Sequence, residues 1–451
     1  MIARISLRLA LVLGLSWPAF DAAHATTLDE ALTLAYQNNP RLLAARAELR
    51  AIDEEVNQAI GQGRPSVFLR GNLSGEWSDT SLTPQDWAAP RNATLELRQP
   101  VYRGGSIEAG KVRAENQVLA QRARLAEIEQ AVFGDAVLAF MNVVRDEAEL
   151  ALQENNEQVL VRQLQATRDR FEVGEVTRTD VAQAESRLAL ATADRIEAEG
   201  ALSASLAFYE EVVGVPAENL EDPAPLADLP MSENETIVQS DGTPRVVAAR
   251  YDIAAAEAAI DEERGDLLPR LDFVGRLYAE DGVGPSNSSG QSAAVIAELA
   301  IPLYQGGVEY SEVRQTKQIA SQRWQDLETE RRRAVQEATR AWRALETADA
   351  QIDSFEAQVR ATQLALEGVR EEATVGARTV LDILDAEQEA LDAQVALVRA
   401  RRDFIVAGYA VLQAVGRLTA DQIGLPVDYY NPDLHYQAVR DQIWGTEPAT
   451  N

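Results

Sequence analysis

The chain has 451 residues and a formal net charge of −30, from Lys+Arg 42 against Asp+Glu 72. That balance excludes a nucleic-acid binder, which needs clustered cations to neutralise phosphate. With Cys 0 and His 2, disulfides, thiol catalysis, cysteine-ligated zinc, an N-terminal lipidated Cys and most general-base chemistry lose their usual residues, and no catalytic residue, metal or cofactor is assigned.

Residues 1–25 read as a secretory signal: Arg4 and Arg8 precede an apolar core at Leu7–Leu15, and Ala23-His24-Ala25 suits a signal peptidase, so a mature chain would start at Thr26. The apolar run falls short of the ~20 residues a spanning helix needs, and no later stretch approaches that length. A helix is expected at about Arg41–Gln62. Ser66–Ser78 then alternates with period two, with Val67, Leu69, Gly71, Leu73, Gly75 and Trp77 on one side and mostly polar residues on the other. Ser81–Pro90 reads as a polar loop, and Ala93, Leu95 and Leu97 resume the alternation. After the Gly104-Gly105 corner, Pro-free sequence rich in Ala, Glu, Gln, Arg and Leu predicts one helix from Gly105 to Phe171, about 100 Å long at ~1.5 Å per residue. It turns at Gly174 and returns over about Thr179–Gly214.

The same series then recurs. Pro100-Val101-Tyr102-Arg103-Gly104-Gly105 matches Pro302-Leu303-Tyr304-Gln305-Gly306-Gly307 at an offset of 202, as do Val173-Gly174 and Val375-Gly376, Thr177 and Thr379, and Asp180 and Asp382. Earlier matches, such as Pro40-Arg41 with Pro244-Arg245, hold at 204. The expected organisation is therefore a signal at 1–25, a first repeat at 26–214, a linker at 215–243, a second repeat at 244–416 and a tail at 417–451. Leu271–Glu280 and Ala293–Ile301 supply two more alternating rows around a loop at Asp281–Gly290. Trp77, Trp87 and Tyr278 suggest an interfacial aromatic girdle. In the second long helix Leu345, Ile352, Val359, Leu366 and Ala373 recur every seven residues, with Ala348, Phe355, Thr362 and Val369 between them, which is a coiled-coil seam. The Gly105–Lys111 segment mimics a phosphate loop, but Val112 stands where Ser or Thr must hold magnesium, so its glycines are read as a strand-to-helix corner.

Ten-residue rows with one apolar face suit lipid-facing strands, yet four strands close no barrel. An open sheet in lipid leaves costly unpaired edges, so such a chain must assemble, and three copies give twelve strands. A periplasmic coiled-coil adaptor or scaffold without a barrel would explain the hairpins, though not the four alternating rows.

At this point the residues resemble a known family. Leu28-Asp29-Glu30-Ala31 followed by Asn38-Asn39-Pro40, the two Pro-x-Tyr-x-Gly-Gly corners, and the two tips around Gly174 and Gly376 make the sequence similar to TolC-type outer-membrane efflux and type I secretion channels over Thr26 to about Leu425. The resemblance implies a mixed α/β membrane protein: a homotrimer with a twelve-stranded outer-membrane β-barrel in lipid, continued by a long periplasmic α-helical coiled-coil barrel. It implies an exit duct without catalysis, a periplasmic adaptor, and an inner-membrane transporter of the ABC or RND type. It places the tail in the periplasm and the adaptor-docking tips at Val173, Gly174, Val375 and Gly376. Asp382 and Asp385 fall on positions that narrow the periplasmic end, while Arg378, Thr179 and Asp180 fall on positions that hold the closed state. Ala373 departs from the family, which often has a gate-locking Tyr there. Crowded carboxylates at the constriction would raise one another's pKa.

Overall fold

The computed structural model describes residues 26–80, 83–224, 226, 228–283 and 288–448. The expected signal segment and Asn287 lie outside the described residues. Two helices come first among the described residues, α1 (Leu28–Asn38) and α2 (Pro40–Gly61). Thr27 and Glu30 form a reciprocal capping box at α1, and Pro40 sits in the first turn of α2, where its missing N–H costs nothing. β1 (Ser66–Leu73) and β4 (Arg91–Arg103) pair antiparallel, with a small separate hairpin, β2 (Glu76–Thr80) and β3 (Thr83–Ala88), between them. The loop expected at Ser81–Pro90 is thus largely the second arm of that hairpin, whose Trp77 and Trp87 backbones are paired.

α3 (Ser106–Glu172) is one unbroken helix of 67 residues, and α4 (Arg178–Val213) returns along it. After a linker carrying the short α5 (Glu233–Gln239), the series repeats as α6 (Pro244–Gly265), β5 (Arg270–Val283), β6 (Ser288–Ala300), α7 (Val308–Thr374) and α8 (Val380–Ala414). The expected helix limits fall within one or two residues of these ends. Of the loop expected at Asp281–Gly290, residues 281–283 belong to β5 and 288–290 to β6, and 284–287 lie outside the described residues. α9 (Pro432–Val439) closes the chain, docked on α2 through buried His435, whose Nδ1 lies 2.9 Å from Asp53 Oδ2.

The sheet order is β1-β4-β5-β6, all antiparallel, so each half contributes a strand pair and the β4–β5 register joins them. The registers put Leu69 beside Leu95, Leu95 beside Leu277, and Leu277 beside Ala293, while Val67, Leu97, Gly275 and Val295 form the adjacent row. This apolar face is uncovered: Leu69 is 75% and Val295 88% exposed. On the opposite face Glu96 is nearly buried among Arg276 at 3.2 Å, Arg98 at 3.8 Å and Arg70 at 3.9 Å, and Asp272 is held by Arg98 and Arg103. Tyr278 stands on this charged face, with its hydroxyl donating to Glu280 at 2.9 Å, and so takes no part in a girdle on the apolar side.

The main core lies at mid-length. Phe133 and Phe140 of α3 pack with Leu32, Leu42, Leu49 and Tyr209, and Leu418, Ala420 and Leu425 of the tail join them. Below it, the heptad positions of α7 from Leu345 to Ala373 are the half-buried or buried ones, with exposed residues between them, as a seam against α8 requires.

Candidate gate and docking tips

Each hairpin turns by the same device. Gly174 (φ 81°) and Gly376 (φ 79°) adopt the left-handed conformation that only glycine takes without strain. Their neighbours close the helix ends: Glu175 N–H donates to Arg170 O at 2.9 Å, and Ala377 N–H to Glu372 O at 2.9 Å. Beside them Val173 and Val375 are 71% and 78% exposed. A β-carbon on either glycine would meet nothing within 4 Å, so the two tips are blunt, open and apolar at their apex.

The returning helices start with capping boxes. Thr379 N–H and Oγ1–H both donate to Asp382 Oδ2 at 2.8 Å, and Asp382 N–H donates to Thr379 Oγ1. Thr177 and Asp180 repeat the arrangement. The Thr379 N–H and hydroxyl hold the Asp382 carboxyl below its ordinary range. Within one chain the direction is therefore opposite to the rise expected from crowded carboxylates, because two donors already satisfy the ionised form. Thr179 sits in the first turn of α4, one residue before Asp180.

The remaining predicted residues are not brought together within the chain. Arg378 turns back to Glu372, with Nε 2.7 Å from Oε2, and the hydrogen bonds of Asp180 go to Thr177. Asp385 instead pairs with Arg187 of α4, joining the two hairpins near their tips. Around this pair Leu160, Ala191, Val380 and Leu384 form a small buried cluster. The sequence reading missed Arg187. It also missed a duplicated staple: Arg168 with Glu185 at 2.7 Å in the first hairpin, and Arg370 with Glu387 at 3.0 Å in the second. Both members lie 202 apart from their counterparts, so the repeat offset itself was the available signal. Ala373 fills a half-buried seam position.

Among the described residues no helix is long and apolar enough to cross a membrane, and no group of His, Asp and Glu could hold a metal ion. The uncovered apolar face of the sheet is the part suited to lipid.

Comparison with known proteins agrees with this layout. The outer membrane efflux protein family model matches residues 31–213 and 241–417. The chain is 35% identical over 428 residues to the outer membrane efflux protein BepC of Brucella suis, covering 94% of this chain and 93% of that one. It is 28% identical to the alkaline protease secretion protein AprF of Pseudomonas aeruginosa, covering 86% and 84%. Among solved structures, the Campylobacter jejuni CmeC outer membrane channel superposes with a TM-score of 0.80 over 97% of this chain and 98% of that one, at 16% identity, which speaks to the fold alone. The open-ended sheet with its lipid-suited face, the paired long hairpins and these similarities agree: the chain belongs to the outer membrane efflux protein family, as a channel protein of the outer membrane whose helices lie in the periplasm.

Proposed function

We propose that three copies close the sheet into a twelve-stranded barrel, with the hairpins as a periplasmic conduit. The observation that carries this reading is the sheet itself. β1 and β6 each have one unpaired side, in a sheet whose apolar face would lie in lipid, where every unpaired backbone group costs several kcal/mol. Closure with further copies satisfies those edges. In this reading residues 26–214 and 244–416 act as two repeats that contribute alternate segments of the conduit wall.

The conduit is the exit duct of a tripartite efflux or type I secretion assembly, handing substrate on from an inner-membrane transporter through a periplasmic adaptor. The exposed valines beside Gly174 and Gly376 support the tips as the adaptor-docking surface. The gate lies just above them, where Asp382 and Asp385 of three copies ring the axis, with Arg378, Thr179 and Asp180 bordering it. The experiment is electrophoretic and electrical together. Unheated protein should run as a trimer that dissociates on boiling, and it should form cation-preferring channels in planar bilayers. A monomer that inserts in no bilayer refutes the proposal.

A further inference from the structure

α8 ends at Ala414 and α6 begins at Pro244, and the two are stacked end to end. Gly416 lets their backbones meet, since a β-carbon there would lie 3.2 Å from Thr243 Cα. Beside this junction α3 and α7 leave a cleft of about 930 Å³. Its floor is small and apolar, made by Ala341, Val406, Ala410 and Ala414. Two of its lining residues are buried and carry a polar atom without a partner among the described residues: Gln130, 4% exposed, at Nε2, and Thr243, 8% exposed, at Oγ1.

Thr243 is anomalous among the helix-capping threonines. Thr27, Thr177 and Thr379 each cap their helix with the side chain, but Thr243 makes no such bond, so the N-terminus of the 22-residue α6 is left uncapped. An uncapped helix start with an idle hydroxyl and an idle amide donor beside it is arranged for an acceptor. The charges agree. Arg245 is tied to Glu127 and Glu337, Arg333 to Glu330, Arg343 to Glu233 and Glu346, and Arg402 to Asp403. Arg340 lines the cleft and makes no ion pair or hydrogen bond among the described residues. Five arginines thus face four carboxylates (Glu127, Glu330, Glu337 and Asp403) around the cleft, which leaves one positive charge in excess, at Arg340, in a chain of net charge −30.

We propose that this cleft binds an amphipathic organic anion. Its carboxylate or sulfonate is received by Gln130 Nε2, the Thr243 hydroxyl and the start of α6, and Arg340 draws it in. Its apolar body lies along the alanines. The inference rests on the conduit reading in one respect. Val406 and Ala410 lie on the face of α8 opposite Gly408, which abuts Leu226 of the linker, while Leu229 and Ile237 of the linker segment pack beside Ala341 and Ala414 at the cleft's edge. In that reading the open side, between α3 and α7, faces the conduit.

The native absence of cysteine makes a clean test. Ala344, an exposed cleft residue, is changed to Cys in the full-length protein purified as its assembled oligomer and reconstituted in lipid. Anionic 2-sulfonatoethyl methanethiosulfonate should react severalfold faster than its trimethylammonium analogue. 2-Naphthalenesulfonate should protect the thiol, whereas neutral 2-naphthalenemethanol and inorganic sulfate should not. Adding Arg340→Gln should cancel the preference for the anionic reagent, and Gln130→Leu should raise the protecting concentration about tenfold. No labelling at Ala344→Cys would mean that a neighbouring copy covers the cleft, and would overturn the proposal. So would protection by the neutral compound, protection by sulfate alone, or protection unchanged by both variants. Oligomeric state and conductance, measured on the same samples, separate failure of this proposal from failure of the conduit reading.

Discussion

Arg187→Gln tests what holds the tips together. The Arg187–Asp385 pair is the one ion pair between α4 and α8 among the described residues, and the side chains are 31% and 56% exposed. Solvent therefore screens it, and such pairs stabilise by ~0.2–1 kcal/mol. Taking about 0.5 kcal/mol per copy, three copies contribute about 1.5 kcal/mol to the closed arrangement, which corresponds to about a tenfold change in an open–closed equilibrium. The buried cluster of Leu160, Ala191, Val380 and Leu384 is untouched by the substitution, so the hairpins should still fold. Single-channel recording in planar bilayers should show about tenfold greater occupancy of high-conductance states. Asp385→Asn should give a similar shift, and the double variant no more than either alone. Wild-type behaviour in Arg187→Gln alongside opening in Asp385→Asn would show that Asp385 acts as an independent constriction charge, and would refute the pairing argument.

Gly174→Val or Gly376→Val forces a β-branched residue into the left-handed region at about 1–2 kcal/mol, in open space, so transport should fall in cells while the heat-dissociable oligomer persists; loss of the oligomer would make the tips structural. The depressed carboxyl of Asp382 fixes the sign of its pH response: its contribution is present above the unfolded pKa of ~3.9 and is lost as pH falls through the lower folded value. Hydrogen exchange at the start of α8 should therefore be flat from pH 7 to pH 5 after correction for intrinsic rates, and Thr379→Ala should accelerate it at both. Glu96→Gln removes the carboxylate between Arg70, Arg98 and Arg276, so reversal potentials should shift toward anions, and an unchanged potential would place that charged face outside the conduction path. Cysteines at Gln58 and Gln315 should cross-link one copy to the next, read as a dimer and trimer ladder on a denaturing gel.

Much of this architecture was legible because it rests on periodicity. Period two between glycine corners marked the four sheet strands, although the first row, read as continuous to Ser78, breaks after Leu73. The unbroken run of helix formers gave α3 nearly to the residue, with α7 following as its repeat. The β2–β3 hairpin was not legible, because Thr83–Ala88 holds Pro84, Gln85 and Asp86, which read as turn residues and carry no alternation. Nor was the tail, whose α9 depends on a partner far away in sequence: His435 becomes meaningful only against Asp53, 382 residues earlier. At the tips the residue types were visible but their bonds were not. The three-residue spacing of Asp382 and Asp385 put both on one face of α8, yet one caps its own helix and the other reaches for α4, a difference that only tertiary packing decides.

The two halves are alike in element lengths but not in burial, and the difference shows where further copies belong. At the first corner Gly104 presses against Gly265, so closely that a β-carbon would lie 2.2 Å from the Gly265 carbonyl oxygen. The repeat offsets carry Gly104 to Gly306 and Gly265 back to Gly61. A β-carbon on Gly306 or Gly61 would meet nothing within 4 Å, although both sit at the equivalent places in their own half. α3 is buried on several sides by α2, α4, α6 and α8, whereas α7 buries mainly alanines and leaves Trp324 53% exposed. Among the described residues the contact between α3 and α6 thus has no counterpart between α7 and α2, and in the assembly proposed above that counterpart would form with another copy. Arg113 and Glu262, paired at 2.6 Å across the internal contact, map onto Gln315 and Gln58, which is why those positions should cross-link. Repetition within the chain thus supplies the rule for repetition between chains: each copy offers on α2 the surface that α6 offers internally, and the ring closes when every α7 has found one.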